Sequence, residues 1–174
     1  MKKTLLALAA TLAFGAAHAE DTLKKIKDSA SITLGARESS GALAYTLGDG
    51  KYVGFHTEMA ERIAKDLQKQ LGLAKLDVKF QPVTSQNRIP LVQNGTVDLE
   101  CGSTTNNATR QKDVSFAVTT YVEEVRIATK ANSGINSIKD LVGKTVATTT
   151  GTTSVQTLRK HERANGVDFK ELFG

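Results

Sequence analysis

The sequence predicts an α/β fold with a mostly parallel sheet. Predicted strands, in which apolar and polar residues alternate, are followed along the chain by predicted helices, in which apolar residues recur every third or fourth position. This order of elements is typical of α/β domains. The clearest helix covers 57–71, where Met59, Ile63 and Leu67 recur every four residues and Gly72 follows as a C-cap signal. Polar loops follow most predicted strands, so we look for function at the strand ends.

Each remaining element is assigned from its own local pattern. Strands are predicted where apolar and polar residues alternate, helices where apolar residues recur at every third or fourth position, and turns where Gly, Asn or Asp interrupts the pattern. In chain order these elements are a helical lead-in at 20–30, a strand at 31–35, extended segments at 43–47 and 51–54 around a turn, the helix at 57–71, a strand at 76–83, a helix capped at 84–85, a strand at 97–100, an extended segment at 119–130, a short helix at 138–142, a strand at 145–149 and a helix opening at 151–154.

The N-terminus has the pattern of a secretory signal peptide over residues 1–19. Lys2 and Lys3 precede an apolar run, and Ala17-His18-Ala19 supplies a cleavage site. The run is shorter than the ~20 residues needed to span a bilayer. Its removal takes away two of 23 basic residues and none of the 18 acidic ones, leaving 21 against 18, or +3. We therefore predict an exported chain, and so mild a charge gives no support for a nucleic-acid partner.

The stretch 94–116 contains the most informative loop of the chain. A turn and a short strand lead into 102–107, which is small, polar and rich in hydroxyl groups, and Arg110 follows. Such a loop can receive a carboxylate, because backbone amides and hydroxyls donate hydrogen bonds and a guanidinium gives a planar two-pronged contact. The alternative is an ordinary solvated loop with a surface arginine.

Similar polar residues follow four predicted strands, and ligands of open α/β sheets bind beyond the carboxyl ends of the strands. Ser85 and Gly151 also begin predicted helices, whose free N–H groups attract anions. Each signal alone is compatible with a surface arginine or a plain helix cap, but their coincidence at one sheet edge predicts an anion site. Three arginines favour a dianionic ligand. The candidate ligand-binding residues are Arg37, Ser85, Arg88, Ser103, Thr105, Arg110, Thr152 and Thr153.

Other chemistries have little support in the sequence. His56 and His161 are isolated, so we predict no metal site and no cofactor. There is no Gly-x-Ser-x-Gly motif, and Cys101 has no evident base partner for nucleophilic catalysis. The residues proposed for the crevice bind anions and do not transfer protons, so we predict a binding protein and not an enzyme.

Three segments resemble the periplasmic solute-binding proteins of amino-acid ABC transporters, polar amino-acid class. They are 49–65, the signature-like stretch 95–116, and 138–147 with 151–154. Within that family, 84–90 and 100–107 are most similar to the glutamate/aspartate-binding members. The resemblance implies a type II periplasmic-binding-protein fold of two lobes with doubly wound sheets. The first lobe would cover 20–118, and 119–174 would form part of the second.

The resemblance also implies a role for seven of the eight candidate residues, all except Thr152. The ligand α-carboxylate would be clamped by Arg110, with the backbone N–H groups of Thr105 and Thr153 assisting. Ser103 would contact the α-amino or carboxylate end, and the side-chain carboxylate would be held by Arg37, Ser85 and Arg88.

The implied function is a monomeric periplasmic receptor that closes around L-glutamate or L-aspartate and delivers it to a membrane ABC permease. The alternatives are an exported enzyme on the same scaffold, such as a dehydratase or a lytic-transglycosylase-like protein, and an amino-acid-sensing domain. Family members are longer than this chain. By resemblance, the missing part would complete the second lobe and supply the acidic partner of the ligand ammonium and any second cysteine, so we expect weak binding or none.

Overall fold

A computed structural model describes residues 22–174, and the predicted signal peptide lies outside the described residues. Helices and strands alternate through most of the described chain, as the sequence predicts. The elements are α1 (Thr22–Ser29), β1 (Ser31–Ala36), β2 (Tyr45–Gly48), β3 (Lys51–Val53), α2 (Phe55–Gln70), β4 (Asp77–Pro82), α3 (Arg88–Gln93), β5 (Leu99–Glu100), a 3₁₀ helix (Arg110–Lys112), a second 3₁₀ helix (Ile138–Leu141), β6 (Thr145–Thr148), α4 (Thr153–Asn165) and β7 (Lys170–Phe173).

A parallel three-stranded sheet in the order β4-β1-β5 forms the centre of the first unit, residues 22–116. Its middle strand, β1, is the most apolar, and Ile32 and Leu34 point to the same face of the sheet, where they are buried against α1 and α2. Ala60 and Ala64 lie one turn apart on the face of α2 that packs against this core. Burying a residue such as Leu34 contributes about 1.5–3 kcal/mol, so this cluster stabilises the unit that carries most candidate residues.

A buried ion pair fixes the start of β5. Asp98 accepts a hydrogen bond from Lys25 Nζ at 2.9 Å through Oδ1 and one from the backbone N–H of Thr33 at 2.8 Å through Oδ2. The carboxylate thereby accepts the hydrogen bond of a backbone N–H group that a carbonyl oxygen of β5 would otherwise accept. For this reason β5 is shorter than the predicted strand at 97–100.

The second unit, residues 135–174, is built on β6 and β7, which pair in parallel. Leu141, Val146, Leu158, Val167 and Phe169 form its separate core beneath α4. The sequence analysis did not predict β7. The helix predicted from 151 begins two residues later and continues past 158, where its exposed residues lack the apolar periodicity on which the prediction depended.

Two local predictions differ in detail from the structure. Helix α3 begins at Arg88, three residues after the predicted start at Ser85. The predicted cap is formed: the N–H of Thr84 donates to Asn87 Oδ1 at 2.7 Å, and the N–H of Asn87 donates to Thr84 Oγ1 at 3.2 Å, a reciprocal pair that closes the turn before the helix. The segment 119–130 is predicted to be extended; it contains no helix, and it pairs with no strand among the described residues, so it belongs to no sheet.

The two units meet at Gly151, which has φ of +76°. A Cβ atom at this position would lie 2.7 Å from the carbonyl oxygen of Ser85, so only glycine permits the approach. Across 22–174 we find no helix with the length and apolar character needed to cross a membrane. The contact at Gly151 brings the loop after β4 against the loop after β6.

Candidate ligand-binding site

The structure brings six of the eight predicted residues together around one cavity of about 320 Å³ between the two units. They come from the loops after β4, β5 and β6, which meet at the carboxyl edges of the two parallel sheets. The six are Ser85, Arg88, Ser103, Thr105, Thr152 and Thr153.

Arg88 is the most unusual residue of this cavity because it is only 3% exposed. Its Nη1 donates a long hydrogen bond of 3.4 Å to Ser103 Oγ, and its Nε is buried without a hydrogen-bond partner. It forms no ion pair with any carboxylate of the described chain. A buried cation without a counterion is costly, so the site is suited to receive an anion.

The pKa of Arg88 follows from the same surroundings. Burial lowers it to about 10, the negative charge of Glu100 opposes this effect, and the positive charges of Arg110 and Arg37 add to it. A pKa of about 10 leaves the guanidinium protonated at neutral pH. The cavity therefore contains a fixed, desolvated positive charge.

Arg110 connects the two units at the edge of the cavity. Its Nη1 donates to the carbonyl oxygen of Thr105 at 2.9 Å, and its Nη2 donates to that of Gly151 at 3.0 Å. Beside it, the hydroxyl oxygens of Thr105 and Thr153 lie 3.2 Å apart. Burial lowers the pKa of Arg110, and the negative charge of Glu100 opposes this effect. Arg110 therefore reaches both sides of the crevice.

Arg37 lies behind the cavity and not in its wall. Its Nε donates to Ser40 Oγ at 3.1 Å and its Nη1 to the carbonyl oxygen of Val83 at 2.9 Å, so it ties the end of β1 to the end of β4. The Ser40 hydroxyl is in turn 3.2 Å from Ser103 Oγ. The structure thus places Arg37 one hydrogen-bonded residue away from the cavity.

Thr152 and Thr153 bring the N-terminus of α4 into the cavity. Thr152 is the N-cap residue and has extended backbone angles, and Thr153 is the first helical residue. The hydroxyl of Thr152 donates to the carbonyl oxygen of Thr149 at 2.8 Å and so holds the turn in place. The first turn of a helix has free N–H groups and the positive end of the dipole, which favours an anion.

The sequence analysis missed Glu100, the last residue of β5. Its Oε2 accepts a hydrogen bond from Thr104 Oγ1 at 2.7 Å, and its Oε1 is buried without a partner. A Cβ atom at Gly102 would collide with Oε1 of Glu100, so the glycine makes room for this carboxylate. Its position in the sequence, next to a loop of small residues and between two arginines, could have indicated a role in the site. The alternation of apolar and polar residues at 97–100 instead suggested that Glu100 faces solvent.

The connecting segment, residues 117–134 between the two units, adds exposed charges to the same cavity. Glu123, Glu124 and Arg126 line it, and Arg126 Nε donates to Glu124 Oε2 at 2.9 Å. Both members of that pair are more than three-quarters exposed, at 81% and 76%, so solvent screens them strongly. The desolvated charge that lines this cavity is that of Arg88.

A second cavity of about 450 Å³ lies between the first unit and the connecting segment. It is bordered by apolar residues of α2 and α3 and by His56, whose Nε2 is 2.9 Å from Thr120 Oγ1. Cys101 also lines it, and burial raises the pKa of this thiol to about 11. A thiol with so high a pKa is a poor nucleophile at neutral pH. Within the described residues no group of three His, Cys, Asp or Glu side chains is placed to hold a metal ion.

Residues 32–171 match the family model of the bacterial extracellular solute-binding proteins, family 3. The chain belongs to this family. The chain is 48% identical over 140 residues to an L-glutamate/L-aspartate-binding protein of Pseudomonas aeruginosa, covering 79% of this chain and 46% of that protein. It is 45% identical over 166 residues to a glutamate/aspartate import solute-binding protein of Salmonella typhimurium, covering 91% of this chain and 55% of that protein. This chain thus spans about half the length of the curated relatives that it matches.

A structural comparison agrees with the family assignment. An ancestral arginine-binding protein bound to arginine superposes with a TM-score of 0.63 and 27% identity, over 82% of this chain and 61% of that one. The predicted α/β fold of the type II periplasmic-binding-protein class is thereby confirmed. The family match and the names of the two relatives also confirm the predicted resemblance to solute-binding proteins, and both relatives are named as binding proteins.

Proposed function

We propose that this chain is the solute receptor of an ABC importer that captures L-glutamate or L-aspartate and delivers it to a membrane permease. The observation that carries the proposal is Arg88, a protonated guanidinium that is 3% exposed, faces the cavity and has no counterion among the described residues. An acidic amino acid supplies the missing anion. The printed names of the two relatives support the same ligand class.

The ligand has two carboxylates, and we assign each to one side of the cavity. The α-carboxylate would lie against Arg110 and the N–H groups of Thr105 and Thr153, at the N-terminus of α4. The side-chain carboxylate would lie against Arg88 and Ser85. The remaining candidates have supporting roles: Ser103 would contact the α-amino or carboxylate end, Thr152 would shape the helix start, and Arg37 would act through Ser40 and Ser103.

We further propose that the receptor is a monomer in the periplasm, exported by the signal peptide at 1–19. The lobes would comprise 20–118 and 119–174. Two separate hydrophobic cores support this division, one formed from residues between Ile26 and Leu76 and the other from residues between Leu141 and Phe169.

A thermal-unfolding titration tests this function. The mature chain would be unfolded in the presence of L-glutamate, L-aspartate or L-glutamine, each raised to millimolar concentration. A ligand at about 100 times its dissociation constant adds about 2.7 kcal/mol to the free energy of unfolding, so even weak binding would be visible. Stabilisation by both acids and not by glutamine is the expected result. Equal responses to all three would refute an acidic site.

A further inference from the structure

Glu100 presents a carboxylate next to the proposed ligand cavity. It lines the adjoining cavity of about 450 Å³, which shares Arg88, Ser103 and Thr105 with the ligand cavity. It ends β5 directly opposite Gly35, and the next residues of the chain are Cys101 and the cavity loop that begins at Gly102. One oxygen is held by Thr104 at 2.7 Å, and the other is buried without a donor. A negative charge beside an anion site opposes simple anion binding, so its presence calls for a functional explanation.

The charges around the cavity suggest that explanation. Arg37, Arg88 and Arg110 are buried or half-buried, and Glu100 is the one half-buried carboxylate near them in the part of the chain that the structure describes. Glu100 acts electrostatically on both Arg88 and Arg110 without forming an ion pair with either. Its charge is not neutralised by a single ion pair, and it therefore lowers the positive electrostatic potential around both arginines.

We propose that Glu100 is a specificity-determining residue, whose charge makes the site select amino dicarboxylates over plain dicarboxylates. This inference rests on the proposed function. L-Glutamate has a net charge of −1 because its ammonium offsets one carboxylate, whereas glutarate, which has the same carbon skeleton without the amino group, has −2. A negative charge beside the site opposes the second ligand more strongly than the first.

The charge-neutral variant Glu100→Gln measures this effect. Its amide oxygen can still accept the hydrogen bond from Thr104, so the shape of the loop is retained while the charge is lost. One charge at roughly 10 Å with an effective dielectric constant of about 20 changes the affinity for a unit charge by about tenfold or slightly more. We expect the ratio of the dissociation constants of glutarate and L-glutamate to fall by about tenfold in this variant.

Glu61→Gln is the matched control. Glu61 lies on the exposed face of α2 and borders neither cavity, so the same change of charge there is screened by solvent. The ratio should stay within about twofold of the wild-type value in this control. Isothermal titration of the two ligands gives both dissociation constants, and thermal unfolding of each variant reports whether it is folded.

Each outcome decides the matter. A ratio in Glu100→Gln that stays within the range of the Glu61→Gln control overturns the role of Glu100 while leaving the proposed function intact. Should Glu100→Gln fail to fold, the wild-type chain still provides the test, because binding glutarate as tightly as L-glutamate would contradict the proposal. A wild-type chain that binds neither ligand overturns the proposed function and this inference together.

Discussion

Replacing Arg88 with methionine should make the empty chain more stable and unable to bind acidic amino acids. Burial lowers the pKa of Arg88 to about 10. At about 1.4 kcal/mol per pH unit, that depression corresponds to roughly 3 kcal/mol of unfavourable free energy for the charged form. Below pH 10 the guanidinium is protonated in the folded and the unfolded chain alike, so this cost applies in full at neutral pH.

Methionine has a similar length and no charge, so Arg88→Met should remove most of this cost. We expect a gain of about 1–3 kcal/mol in the free energy of unfolding, or several degrees in Tm for a chain of this size. Binding should change in the opposite direction. Removing the charged partner of a buried carboxylate costs about 2–5 kcal/mol, so the affinity for L-glutamate should fall roughly 30-fold to 4000-fold.

The assay combines urea unfolding of the empty chain with a calorimetric titration of L-glutamate. Arg62→Met is the control, because Arg62 is exposed on α2 and borders neither cavity. It should alter stability by less than about 0.5 kcal/mol and leave binding unchanged. An Arg88→Met chain that is less stable than wild type and still binds L-glutamate normally would show that this arginine is a structural residue, and the reasoning would be refuted.

Three further predictions concern the scaffold around the site. Asp98→Asn should lower the free energy of unfolding, measured in urea, by about 2–4 kcal/mol, because it leaves the partly buried ammonium of Lys25 without its carboxylate. The control Asp66→Asn should cost less than about 0.5 kcal/mol, because the Asp66 side chain is 68% exposed. Gly151→Ala should lower the free energy of unfolding by at least about 1 kcal/mol more than Gly166→Ala. Both glycines have positive φ, but only at Gly151 would the new Cβ atom meet a facing carbonyl oxygen, at 2.7 Å. Cys101 should react with iodoacetamide at pH 8 about 100-fold more slowly in the folded chain than in urea, because its raised pKa of about 11 lowers the thiolate fraction; equal rates would contradict this account.

Much of the fold follows from local pattern in the sequence. The helix α2 was predicted within two residues at its start and one at its end, because its apolar residues repeat every turn and Gly72 ends the pattern. β1, β4 and β6 were predicted within one residue at each end, since alternation of apolar residues directly reflects the two faces of a sheet. These signals lie within a few residues of each other, so no knowledge of the folded chain is needed to read them.

Elements whose boundaries depend on distant partners were predicted less well. The strand β5 has only two residues because the Asp98 carboxylate takes a backbone donor from Thr33, 65 positions away. β7 exists because it pairs with β6, and its own sequence shows no clear alternation. The segment 119–130 shows the converse case: it has a strand-like pattern and no partner among the described residues.

The candidate site was also predicted only in part from the sequence. The sequence by itself determined which residues are chemically suited to bind a carboxylate, because hydroxyls, arginines and helix starts are visible in local order. Only the tertiary structure decided that Arg88 is buried without a counterion, that Arg37 lies behind the cavity, and that Glu100 and Arg88 line one cavity. Burial and through-space charge depend on residues far apart in the chain, and they determine what the same side chains can do.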